Sequence, residues 1–192
     1  MIKKILLIIQ SILFILIVSD TTFINLILPK NLFCLLSIFI CILLTENIHN
    51  LIIFIMTFFA DYNLIFTQKY VSGLYFFIIA QALRTLYFSN KHSSKVIIFV
   101  SIIITILLSF MINKLIAAAI GYSILLIANT ILSLKNNNIK DKIGMILFIL
   151  CDICVALNYL ISYKTIFAKL VWIFYIPSAT LLSFSNKKKK YI

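Results

Sequence analysis

The sequence predicts an all-α integral membrane protein, a bundle of eight transmembrane helices with both termini on the cytoplasmic side. Three observations carry that expectation. The composition is 64% hydrophobic with only 11% charged residues, the mean hydropathy is +1.17, and the 192 residues divide into eight apolar runs. Such a chain has far too little polar surface to face water all round, so lipid must be part of its solvent. Helices rather than strands follow because alternating ten-residue segments are absent and lipid requires each spanning backbone to satisfy its own hydrogen bonds.

The runs justify themselves in order. Ile5 to Val18 opens with "MIKKILLIIQSILFILIV", a basic start and apolar centre like a signal peptide; no small-residue cleavage pattern follows, so a retained first helix is expected. Leu32 to Leu44, Leu51 to Phe66, Tyr70 to Phe88 and Val96 to Ile112 supply the next four. Leu115 to Leu134, Ile143 to Tyr163 and Phe167 to Ser185 supply the last three. Several are shorter than the roughly 20 residues a spanning helix needs, so they must borrow polar flanks or thin the bilayer. Connections such as "NKHSSK" and "KNNNIKDK" leave no room for a soluble domain. The expectation is one transmembrane domain, 1–192, with short loops and a basic tail at 186–192.

Lysines set the expected orientation. With the N-terminus inside, the inner side collects Lys3, Lys4, Lys91, Lys95, Lys135, Lys140, Lys142 and Lys187 to Lys190, against Lys30, Lys69, Lys114, Lys164 and Lys169 outside. The net charge of +12 therefore reads as orientation and attraction of the tail to anionic lipid, not as a nucleic-acid surface. Heavy use of Ile, Lys and Asn resembles AT-rich bacterial genomes, which points to a bacterial cytoplasmic membrane.

The four cysteines, Cys34, Cys41, Cys151 and Cys154, all fall in apolar runs. "CDIC" has C-x-x-C spacing without the βαβ context of a redox motif or the second pair of a zinc site, so small packing residues are expected. Glu46 and His49 in "TENIHN" fall short of a metal site and suit a polar helix end.

Five acidic residues are present. Asp20, Glu46 and Asp141 fall in or beside connections. Asp61, in "FIMTFFADYNLIF", and Asp152, in "GMILFILCDICVALNYL", do not. A carboxyl at that depth costs at least a few kcal/mol and faces a bundle interior or a wet cavity. Counted from the ends of their runs, both lie near the midplane, and Gln81, Tyr122 and Tyr175 fall in the same middle third, with Asn158 about two turns outward from Asp152. Interhelical hydrogen bonding alone would be served at less cost by Asn or Ser. Two carboxyls sharing a water-poor site do not ionise together, and that suits acid/base chemistry. Arg84, close to one end of its run, either reaches a lipid phosphate or snorkels to the interface.

The segments "FFADYNLIF", "GLYFFIIAQALRTLYF" and "GMILFILCDICVALNYL", with "IAAAIGYSILLIANTIL" and "WIFYIPSATLLSFS", resemble in order and spacing the YhhN-like lysoplasmalogenase family over roughly residues 51 to 185. Gly144, Asp152 and Asn158 carry its most specific spacing; Asp61, Tyr122 and Tyr175 match as well. Gln81 stands where the family has histidine, Ala60 where it has glycine, and Pro177-Ser178 where it has Ala-Gln. The resemblance implies hydrolysis of the vinyl ether of a lysoplasmalogen, with no metal or organic cofactor. Asp61 and Asp152 would be the acid and base, while Gln81, Arg84, Tyr122, Asn158 and Tyr175 would position water and the lysophospholipid or other membrane lipid. Two alternatives remain open: a lipid-binding protein without catalysis, and a small proton-coupled transporter.

Overall fold

In the computed structural model the described residues are 2–19, 27–89, 91–160 and 165–185. Asp20, Tyr163, Lys164 and the basic tail 186–192 lie outside them. The described residues form eight helices: α1 (Ile2–Ser19), α2 (Ile27–Leu44), α3 (Ile48–Ile65), α4 (Tyr70–Phe88), α5 (His92–Met111), α6 (Lys114–Leu134), α7 (Ile139–Leu160) and α8 (Thr165–Ser183). Seven contain spans long and apolar enough to cross a membrane. The helices do borrow polar flanks: α3 begins three residues before its apolar run and α5 and α7 each begin four before theirs. Asn47 and Asn113 start α3 and α6 by accepting hydrogen bonds from the backbone N–H groups of His49 at 2.9 Å and Leu115 at 2.8 Å.

Five helices make a ring. α3 packs on α4, α4 on α6, α6 on α7, α7 on α8, and α8 closes on α3. α5 lies outside against α6 and α4, and α1 and α2 lie outside against α8 and, for α2, α3. Gln10 holds that outer pair, its Nε2 donating to Ser37 Oγ at 2.7 Å and Thr180 Oγ1 at 3.2 Å. On the other flank a Cβ at Gly121 would stand 1.8 Å from Thr105 Oγ1, so only glycine lets α5 and α6 approach this closely. Ser101 Oγ seals the contact by donating to the Gly121 carbonyl at 2.8 Å. Pro177 sits inside α8, leaving the carbonyl four residues earlier without its helical donor.

Cross-links fix which helix ends lie together. Lys3 pairs with Glu46, and the Asn50 amide donates to the Leu182 carbonyl at 2.7 Å. The start of α1, the start of α3 and the end of α8 therefore share one end of the bundle, called here the terminal end. All four cysteines are buried.

Asp141 lies beside a connection, in the first turn of α7, but the sequence did not reveal its burial: it is 1% exposed, with Asn136 Nδ2 donating to its Oδ2 at 2.7 Å. The cause is the four-residue extension of α7 beyond its apolar run, which turns Asp141 onto the face that carries Met145, Phe148 and Asp152.

A candidate intramembrane acid/base site

Each ring helix sends polar side chains toward the shared axis. On α3, Asn50, Phe54, Thr57 and Asp61 follow the i, i+4, i+7, i+11 spacing of one helical face, and all four are buried. On α7, Asp141, Met145, Phe148 and Asp152 repeat that spacing. Asp61 stands 13 residues after Ile48 and Asp152 13 residues after Ile139. At 1.5 Å per residue each carboxyl is about 20 Å from the terminal end.

Each carboxyl holds a phenol. Tyr175 of α8 donates to Asp61 Oδ2 at 2.5 Å, and Tyr122 of α6 donates to Asp152 Oδ2 at 2.5 Å. Asp61 is 6% exposed, Tyr175 and Tyr122 are buried, and Asp152 is half-buried. The two pairs lie at the same depth on neighbouring ring helices: α8, which carries Tyr175, packs on α7, which carries Asp152, and closes on α3, which carries Asp61. In a water-poor interior a phenol O–H donated to a carboxyl oxygen holds both partners in register. Aromatic neighbours wall the site. Phe77 packs on Tyr122 with ring centroids 5.4 Å apart, and Phe148 and Trp172 pack on Tyr175 at 5.7 and 6.0 Å.

The remaining residues singled out from sequence fall elsewhere. Gln81 is buried but engaged by α6: Asn129 Nδ2 donates to its side-chain Oε1 at 2.8 Å and to its backbone carbonyl at 2.9 Å. Sequence depth put Gln81 level with the carboxyls, and the helix register overturns that. The Ala60 carbonyl packs beside Gly73, so Gln81 lies eight residues, about 12 Å, farther along α4 toward the terminal end. Asn158 is half-buried six residues beyond Asp152 and about a third of a turn round from it. Its Oδ1 is buried without a hydrogen-bond partner among the described residues.

Arg84 does not snorkel. It is 3% exposed, its guanidinium carbon 6.0 Å from the ring centroid of Phe54 and 5.6 Å from that of Phe148. Being on α4, which runs toward the terminal end, its Cα–Cβ bond tilts back into the bundle and not out to the interface.

Below Arg84, toward the terminal end, lies a second polar group. The Asn50 amide donates to the carbonyls of Leu182 and Ser185, at 2.7 and 3.4 Å. Tyr87 donates to the Ser185 carbonyl at 3.0 Å. The sequence reading missed Asn50 and Asn129. Their signal was spacing: Asn50 is three turns before Asp61 on one face, and Asn129 is two turns after Tyr122.

An apolar groove of about 510 Å³ runs along α6, lined by Leu115, Ile120, Ile124 and Ile127 with Tyr159 of α7, and contains neither carboxyl. The fold and site thus define a multi-helix membrane bundle with an enclosed pair of tyrosine-bound carboxyls. No family model, curated protein or solved structure matches the chain.

Proposed function

We propose that this protein is a membrane hydrolase of the lysoplasmalogenase type, cleaving the vinyl ether of a lysoplasmalogen by carboxyl acid/base chemistry. The observation that carries the reading is the presence of two Asp–Tyr units equally deep on α3 and α7. The sequence resemblance over residues 51 to 185 supports it independently.

The chemistry asks for little else. A protonated carboxyl donates to the β-carbon of the vinyl ether, leaving an oxocarbenium ion at the adjacent carbon. The second, ionised carboxyl stabilises that cation and takes a proton from the attacking water. The hemiacetal then collapses, so one water is consumed and a fatty aldehyde and a glycerophospho-base leave. Each tyrosine hydroxyl holds its carboxyl in a fixed rotamer, which keeps the proton aimed at the reacting carbon. The lysine distribution supports both termini in the cytoplasm of a bacterial cell, with the tail 186–192 against anionic lipid.

A second reading, a lipid-binding protein of the same fold without catalysis, is favoured by Gln81 at the family's histidine position. One assay separates them. Purified protein in detergent is given a lysoplasmalogen and, in parallel, the saturated ether lysolipid. Aldehyde from the first and none from the second is the expected result; no aldehyde from either sinks the hydrolase and leaves the binding reading.

A further inference from the structure

Arg84 is the one arginine of the chain, and no direct ion pair offsets its burial. Among the described residues it makes no ion pair, and its only hydrogen-bond contact there is Met145 Sδ at 4.0 Å. Asp61 and Asp152 each hold a tyrosine. Asp141, whose Oδ2 accepts from Asn136 and whose Oδ1 is buried without a partner among the described residues, is a distant counter-charge that does not reach ion-pair distance. The guanidinium carbon lies over the rings of Phe54 and Phe148, 6.0 and 5.6 Å from their centroids. A guanidinium carries five N–H donors, and among the described residues no oxygen accepts from them. A buried cation whose donors lack an oxygen acceptor is poised to take an anion.

We propose that Arg84 binds the phosphodiester of a single-chain lipid and thereby sets which bond of that lipid meets the two carboxyls; this rests on the hydrolase reading above. A phosphate presents paired oxygens that match the guanidinium fork. A singly charged diester also costs less to desolvate than a free phosphate dianion.

The spacing fits that ligand. Phe54 lies seven residues before Asp61 and Phe148 four before Asp152, so the guanidinium between them stands about 6 to 10 Å short of the carboxyls. In a lysoplasmalogen seven bonds separate phosphorus from the vinyl β-carbon, about 8 Å at the ~1.2 Å per bond of an extended chain. The Tyr122 and Tyr175 side chains, both within electrostatic reach of Arg84, flank the stretch where the glycerol would lie. The lipid would then bind with its head toward the terminal end.

Trp172, the single tryptophan, packs on Tyr175 and reports binding by its fluorescence. Three ligands that cannot be hydrolysed are titrated into protein in detergent: a 1-O-alkyl lysophosphocholine, the matching 1-O-alkylglycerol without phosphate, and glycerophosphocholine without a chain. The lysolipid should bind about tenfold tighter than the alkylglycerol or better, the worth of a charge-assisted pair. Arg84→Gln should erase that preference and Arg84→Lys should keep part of it, which still decides the matter if the glutamine variant does not fold. Equal affinities in the wild type, or a preference that survives in Arg84→Gln, would overturn the proposal. So would glycerophosphocholine binding as tightly as the lysolipid, which would mark a site for soluble phosphate esters. Phosphate preference without aldehyde release would leave Arg84 as an anion receptor and remove the hydrolase. Aldehyde release without phosphate preference would remove the receptor alone.

Discussion

The two buried polar groups of this bundle are built from similar residues and bonded in opposite ways. Near the terminal end, Asn50 and Tyr87 donate to backbone carbonyls at the end of α8. About three turns deeper, Tyr122 and Tyr175 donate to side-chain carboxyls. A backbone carbonyl neither takes up nor releases a proton near neutral pH, so the first group only pins the end of α8 and the residues just after it to α3 and α4. A carboxyl can lose or gain the proton that a phenol hydrogen bond only orients. Polarity in lipid is therefore not by itself a sign of chemistry; what accepts the hydrogen bond decides.

Substitutions can break that contrast. The largest effect is expected for Asp152→Asn, which keeps shape and hydrogen-bonding reach but cannot cycle a proton: aldehyde release should fall by about 100-fold or more with thermal stability in detergent nearly unchanged. A variant as active as wild type would move Asp152 into the structural class. Tyr175→Phe should come next, with kcat lowered about tenfold, because Asp61 stays while the hydroxyl that orients it is lost.

Asn50→Ala tests the other group. It removes the side-chain donor that ties α3 to the Leu182 carbonyl, which keeps only the Ser185 N–H at 3.1 Å, so unfolding in detergent should become easier by about 1 kcal/mol, while the rate per folded molecule holds. A rate loss without a stability loss would merge the two groups. Gln81→His should matter least to the chemistry, within about threefold, because the Gln81 side chain faces Asn129 and not the carboxyls; on an energy scale that is under 1 kcal/mol. Activity that exists only in the histidine variant would show that the two carboxyls do not suffice.

Much of this was legible before any coordinates. Apolar run length gives eight helices because lipid tolerates no other use of such runs, and two acids in apolar sequence stand out because charge is so rare here. The order of helices round the ring was not legible. Hydropathy records that a side chain is deep but not which helix it faces, so neither the Tyr175–Asp61 nor the Tyr122–Asp152 pairing could be read. Asp141 and Asn50 were hidden by their position just outside the apolar runs, although each keeps the face spacing of the aspartate on its own helix. Arg84 was left open between two readings for a related reason: distance from a helix end permits snorkelling, and only the packing of its guanidinium between Phe54 and Phe148 shows that the side chain turns inward.

The ring closes through α8, whose Tyr175 meets a carboxyl 114 residues earlier in the chain. During synthesis, which runs from the N-terminus, Asp61 and then Asp152 enter the bilayer while the helix that completes the enclosure is still unmade. Contacts so distant in sequence form late. A chain interrupted before α8 therefore carries an unsheltered carboxyl on α3 that lipid cannot solvate, a visible fault for whatever surveys unfinished membrane proteins. Arrival of the last helix both hides that fault and supplies the second phenol, so the Asp61–Tyr175 pair is completed in the same step that shelters the carboxyl from lipid.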